Sequence, residues 1–367
     1  MNTSIQIGKI MGIPIKLHIT FLLILPVFAW IFAENPPSYG FNDVNPLILR
    51  YVISTIAALL LFTCVLLHEL GHSYVAKKHG TKIQNITLFL FGGVSSMEEI
   101  PRNPRIEFKM ALAGPSVSLL IGSILIIIYN IFRTDSPYIQ DPFIRLVWLI
   151  GYINIVLFAF NLLPAFPMDG GRILRAVLAS RMSYIKATQA AANIGKMFAI
   201  LMGIFGFLNA MQGGSGFWFI LIAFFIYIGA SEEEKATEVN VTLEGVKIMD
   251  IMSREVNKVN SDMTVEELVD HMFRFKHMGY PVIDDTEVKG IVTFTDVQKV
   301  PKDERKNVKI GQIMTKELIS LQDDDDAVSA LKVMTVNNIG RIIITKEKKM
   351  VGIVSRTDIL RSVQLLE

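Results

Sequence analysis

The runs ITFLLILPVFAWIFA at 19–33 and FWFILIAFFIYIGA at 217–230 contain no charged residue. Segments of about 18 apolar residues, or slightly shorter ones with interfacial flanks, are read as helices that cross hydrocarbon. Such runs crowd the first 230 positions of a 367-residue chain that is 51% hydrophobic. Six candidate spans lie near 17–33, 50–76, 107–132, 144–164, 186–210 and 216–230, the last of them short. Lys9 and Lys16 precede the first. Lys77, Lys78, Lys82, Arg102, Arg105 and Lys109 separate the second from the third, and Arg172, Arg175, Arg181 and Lys186 the fourth from the fifth. The opposite loops carry only Arg50, Arg133 and Arg145. The positive-inside rule therefore puts the N-terminus and everything after the sixth span in the cytoplasm of a multi-pass cell-membrane protein.

The character changes at SEEEKATEVNVTLEG, residues 231–245. The expected organisation is a membrane domain over 1–230, a linker over 231–245 and a soluble domain over 246–367. The soluble part repeats itself. DIMSREVNKVNSDMTVEELVDHM at 250–272 is echoed by QIMTKELISLQDDDDAVSALKVM at 312–334, and GIVTFTDV at 290–297 by GIVSRTDI at 352–359. Short β-branched runs alternate with helical periodicity, which gives an α/β reading with copies at about 246–302 and 308–365. One copy is too short to bury much core; two packed together are not. A net charge of +2 without a basic patch argues against a nucleic-acid partner. The single Cys64 excludes an intrachain disulfide framework. The N-terminal stretch lacks the apolar core and small-residue cleavage site of a removable signal peptide.

The sharpest motif is HELGH at 68–72, near the cytoplasmic end of the second span. Residues four apart on a helix share a face, so His68 and His72 are placed to bind one metal ion, with Glu69 beside them to take a proton from the attacking water. Ionisable groups in a spanning helix are costly and point to function. Catalytic zinc takes a third protein ligand. Glu34, Asp43, Asp135 and Asp141 fall in loops on the wrong side, and Glu98, Glu99 and Glu107 flank a polar cytoplasmic segment. Asp169 in NLLPAFPMDGGR remains, on the same side as His72; alone it reads as a turn residue before Gly170 and Gly171. Asn161 lies in an apolar run, where its amide needs a partner: a neighbouring helix, or the oxyanion of a tetrahedral intermediate. Pro164 and Pro167 make the backbone irregular at membrane depth, which calls for a cavity or protein around it. Residues 82–97, broken by Gly92 and Gly93, read as an edge strand able to hold an extended substrate, or as an ordinary covering hairpin. The AGP at 113–115 reads as close helix packing, and Cys64 as a small buried hydrophobe.

HELGH at 68–72, LFGGVSSM at 90–97, AGP at 113–115 and NLLPAFPMDGG at 161–171 resemble the site-2 protease family of intramembrane zinc metalloproteases over roughly residues 1–230. The resemblance implies one Zn2+ held by His68, His72 and Asp169, Glu69 as general base, and Asn161 assisting at the scissile carbonyl. It also implies membrane-spanning protein substrates, cut in regulated intramembrane proteolysis. The second half resembles a tandem pair of cystathionine-β-synthase-type (CBS) modules on Gly290, Thr293, Thr295 and Asp296, and on Gly352, Ser355, Thr357 and Asp358. Such pairs commonly bind adenine nucleotides, here AMP or ATP as a regulatory ligand, and can join chains into homo-oligomers. The aspartates would accept from ribose hydroxyls, and Thr293, Thr295, Ser355 and Thr357 would donate to phosphate; alternatively they are turn residues closing strand onto helix. The expected fold is therefore an α-helical multi-pass membrane domain with a small edge β-sheet, followed by a soluble α/β tandem CBS domain. The rival reading is a CBS-regulated transporter or channel, which the close H-E-x-x-H with a distant aspartate suits less well than a single catalytic metal.

Overall fold

The computed structural model describes residues 4–89, 92–97, 102–133, 141–285, 287–347 and 349–366. Of the positions singled out above, Leu90, Phe91, Glu98, Glu99 and Asp135 lie outside these. The chain forms two compact units, one up to Lys235 and one from Ala236 on.

The first unit opens with β1 (Ser4–Ile10) and β2 (Ile13–His18). They are joined by Met11 and Gly12, both at positive φ as a two-residue hairpin turn requires. Helices α1 (Ile19–Glu34) and α2 (Leu47–Lys78) come next, then β3 (Ile83–Phe89) and β4 (Gly92–Met97). The four strands form one sheet in the order β1-β2-β3-β4, with β2 and β3 parallel and the other pairs antiparallel. After the sheet come α3 (Pro104–Phe132), α4 (Pro142–Asn161), α5 (Asp169–Ala179), α6 (Tyr184–Met211) and α7 (Gly216–Thr242). Five of these helices, α2, α3, α4, α6 and α7, are long and apolar enough to cross a membrane. The short member of the six expected spans is α1, with 16 residues, because the chain turns at Asn35 before two prolines. The last, α7, is not short: its 27 residues run through most of the expected linker. Glu, Lys and Ala after Ser231 are good helix formers, and charge alone does not stop a helix.

Small side chains let the spans approach. Ala29 and Phe32 of α1, Ile53, Ala57 and Ala58 of α2, and Leu146, Leu149 and Ile150 of α4 make one buried seam. Apolar residues also face outward along the same helices, among them Ile124, Ile127 and Ile131 of α3 and Phe205, Phe217, Phe224 and Phe225 on α6 and α7. An apolar exterior of this kind suits lipid rather than water, and the chain is a membrane protein.

The second unit comprises α8 (Ile248–Ile251), α9 (Val265–Phe275), β5 (Gly279–Asp284), β6 (Glu287–Thr293), α10 (Phe294–Gln298), α11 (Ile310–Ile313), β7 (Ser320–Gln322), α12 (Ala327–Val336), β8 (Arg341–Lys346), β9 (Lys349–Ser355) and α13 (Arg356–Leu366). The repeat in sequence is a repeat in structure. Each copy has its own buried cluster, around Val265, Leu268, Tyr280 and Val292 in one and around Ala327, Ile342, Ile344 and Val354 in the other. The copies also exchange short segments. Ser253 pairs with Ile353 of the second copy, and Thr315 pairs with Ile291 of the first. Each copy thus completes a strand edge of the other, so the pair is one folding unit.

Candidate metal centre

His68 and His72 stand one helical turn apart on α2, and Asp169 opens α5 after the irregular segment 162–168. The structure brings the three together. His68 Nε2 and His72 Nε2 are 3.1 Å apart, and Asp169 Oδ2 lies 3.2 and 3.1 Å from them. Donors 2.0–2.1 Å from a tetrahedral zinc are about 3.3 Å from one another, close to this spacing. Both histidines are buried.

The other ring nitrogens are engaged. His72 Nδ1 donates to the carbonyl of Met110, 2.7 Å away, which fixes the tautomer and leaves Nε2 with a free lone pair. His68 Nδ1 is 2.9 Å from Ser118 Oγ. The His72 Nε2 lone pair, His68 Nε2 and a carboxylate oxygen therefore converge on one point, an arrangement that a cation satisfies. Cys64, one turn before His68, is buried among the α1, α2 and α4 side chains.

Two glycines shape the surroundings. A Cβ on Gly114 of α3 would lie 2.2 Å from His72 Nε2 and 2.7 Å from His68 Nε2. The AGP of α3 thus does more than let helices pack: its glycine leaves the room in which the nitrogens converge. Gly93 of β4 is equally close to Glu69, with a Cβ there 2.5 Å from Glu69 Cγ. Strand β4 ends the sheet and, among the described residues, pairs only with β3, so its outer edge is open while its backbone at Gly93 packs on Glu69. Asn161, the last residue of α4, donates to Leu157 O at 3.0 Å within its own helix.

In the second unit, Thr293, Thr295 and Asp296 line a cavity of about 480 Å3 together with Thr315, Glu317, Asn338 and Arg341. Ser355, Thr357 and Asp358 are not among its lining. In both copies the aspartate closes a capping box. Asp296 Oδ2 accepts from the N–H and hydroxyl of Thr293 at 3.0 and 2.7 Å, and Asp358 Oδ2 from those of Ser355 at 2.9 and 2.7 Å. The turn reading of these residues therefore has physical content in both copies, and only the first set also faces this cavity.

Sequence reasoning missed Met110, Ser118 and Arg341. The first contributes a backbone carbonyl, which no side-chain pattern reveals. Arg341 sits where the first copy has Gly279, so the repeat offered no counterpart to notice. Burial lowers its pKa from the ordinary arginine value, and it donates to Gly279 O.

The sequence pattern of peptidase family M50 matches residues 56–135 and 128–203, and that of the CBS domain matches 248–303 and 310–365. A zinc metalloprotease of Methanocaldococcus jannaschii is 39% identical over 367 residues, covering 100% of this chain and 98% of the relative. Among solved structures, the site-2 protease from Methanocaldococcus jannaschii is 43% identical, covering 63% of this chain and 95% of that one, with a TM-score of 0.44. The CBS pair of another protein, solved with 5′-methylthioadenosine and S-adenosyl-L-methionine, is 22% identical over 33% of this chain and 98% of that one, with a TM-score of 0.31. The buried histidine pair with its aspartate, the apolar helices around it and a full-length relative of that activity converge on one assignment: this chain belongs to peptidase family M50, as a site-2 protease-like zinc metalloprotease that carries a CBS-domain pair.

Proposed function

We propose that the protein hydrolyses peptide bonds of membrane-spanning proteins within or beside the bilayer, with His68, His72 and Asp169 as zinc ligands. The observation that carries this reading is the convergence of two Nε2 atoms and one carboxylate oxygen at 3.1–3.2 Å, with both Nδ1 atoms already engaged. Zinc bound there would polarise the scissile carbonyl and ease deprotonation of water. Glu69 takes the proton of the attacking water and passes it to the leaving amine. Asn161 spends one N–H on Leu157 O, leaving the other for the developing oxyanion. A substrate unwound into an extended strand and added to the edge of β4 would run past Glu69, which favours the substrate-holding reading of residues 82–97 over a mere cover.

The cavity in the CBS pair supports an adenine nucleotide as regulatory ligand. Its size falls in the usual small-molecule range. Thr293 and Thr295 offer hydroxyls, Asp296 faces the same space, and Arg341 is a partly desolvated cation with no ion pair among the described residues. Such a guanidinium suits phosphate.

The test is cleavage of a membrane-spanning substrate by wild-type protein and by Glu69→Gln, with zinc measured on both. Loss of about 10²- to 10⁴-fold in rate with zinc retained is expected of a missing general base. A variant that keeps its rate removes Glu69 from the mechanism, and zinc-free wild-type protein removes the metal site. The same assay with and without saturating AMP or ATP tests regulation. Unchanged rates, with binding measured independently, would sink that part.

A further inference from the structure

Arg175 of α5 is 1% exposed and is among the largest fully buried side chains of the protein. It does not touch the zinc site, yet it joins the elements that build it. Its Nε donates to Glu107 Oε1 of α3 at 2.7 Å, and its second terminal nitrogen reaches the same oxygen at 2.6 Å. Its remaining terminal nitrogen donates to Glu233 Oε1 of α7 at 2.8 Å. The guanidinium lies 5.0 Å from the ring centres of both Phe166 and Tyr184. Tyr184 opens α6, and its hydroxyl is 3.4 Å from Glu107 Oε1. Phe166 is fully buried in the segment that leads into Asp169.

The helices on either side of this clamp hold different parts of the site. On α3, Met110 and Ser118 fix the two imidazole rings through their Nδ1 atoms. On α5, Asp169 sits in the first turn, six residues before Arg175 or about 9 Å along the axis. The Arg175–Glu107 fork is thus the charged link between the helix that orients the histidines and the helix that carries the aspartate. A forked guanidinium fixes direction as well as distance, which a lysine cannot do. The stack on Phe166 extends the same hold to the irregular segment.

We infer that Arg175 is a positioning residue for zinc: clamped by Glu107 and Glu233, it sets Asp169 against the two histidines and makes α7 part of the support. This rests on the zinc role of those three ligands. The side chains that support metal ligands typically change metal affinity by about 10- to 100-fold when removed. The experiment is a chelator-buffered zinc titration of the full-length detergent-purified protein, alongside kcat, KM and thermal unfolding. The variants are Arg175→Lys, Glu107→Gln and Glu233→Gln, with Asp169→Asn as reference. Arg175→Lys and Glu107→Gln should weaken zinc binding of the folded protein by about 10- to 100-fold and lower kcat with KM little changed. Glu233→Gln removes the more exposed partner and should fold; it should weaken zinc binding by about tenfold. Lower melting temperatures with unchanged zinc affinity in the first two variants would reduce Arg175 to a packing residue and overturn the inference. Unchanged affinity in Glu233→Gln alone would overturn the part assigned to α7. An Asp169→Asn variant that binds zinc like wild type would overturn the ligand assignment itself, an outcome distinct from both.

Discussion

A methyl group on Gly114 would come 2.2 Å from His72 Nε2, a distance at which something must move. The ring cannot rotate freely, because its Nδ1 is tied to Met110 O. Gly114→Ala should therefore lower zinc affinity by about 100-fold, the upper end for disturbing a ligand's surroundings, while the helix itself gains from losing a glycine. Zinc content per folded molecule checks this, and a zinc-replete Gly114→Ala protein would contradict it. At this scale the sequence is partly legible. His68, Glu69 and His72 are readable because helical spacing is local and fixes which side chains share a face. Asp169 is reached only by elimination, since a carboxylate about 100 residues from the histidines carries no periodic signal. Gly114 reads as a packing residue, because close packing and room for a metal call for the same small side chain.

At the scale of elements, the two CBS copies use the same device, and only the first also faces the cavity. Asp296 and Asp358 each cap a helix, α10 and α13, through a reciprocal hydrogen-bond pair. Replacing either by Ala should cost about 1 kcal/mol of stability as a lost cap. Only Asp296→Ala should weaken AMP binding in calorimetry, because only Asp296 lines the cavity; equal loss in both variants would refute that division. Arg341→Gln should weaken AMP more than adenosine. Helix α9 gives a pH effect. His271 Nε2 is buried without a partner among the described residues, and burial, aided by Arg274 and His277, lowers the pKa of the ring. The folded form then binds a proton less readily than the unfolded chain. Its contribution to stability is full above the ordinary histidine value of about 6.5 and is lost as pH falls below it. The protection of the α9 amides, taken relative to the intrinsic exchange rate at each pH, should fall between pH 7 and pH 5, and His271→Gln should flatten that change; an equal change in the variant would argue against it. The helical spans are legible as apolar runs. The separate helix α5 is not, because Pro164 and Pro167 signal a break in one helix without signalling the start of another.

At the scale of the whole molecule, the charge asymmetry of the loops predicts which side each end occupies. In a Cys64→Ser background, Lys9→Cys and Lys306→Cys should react with an impermeant thiol reagent only after the cells are opened. Tyr39→Cys, exposed between α1 and α2, should react in intact cells. The reverse pattern would invert the topology. The sequence by itself determined the membrane character, the two-part organisation, the internal repeat and the histidine pair. Each of these is written in composition, in periodicity or in spacings of a few residues, where chain geometry leaves little choice. Only the tertiary structure decided the outer support of the histidines by Met110 and Ser118, the Glu107–Arg175–Glu233 clamp, and the cavity that sets Arg341 beside Thr293. Those contacts join residues about 40 to 70 positions apart. They arise from which helix faces and strand edges pack together, and that choice is made by the burial of many side chains at once rather than by any local pattern.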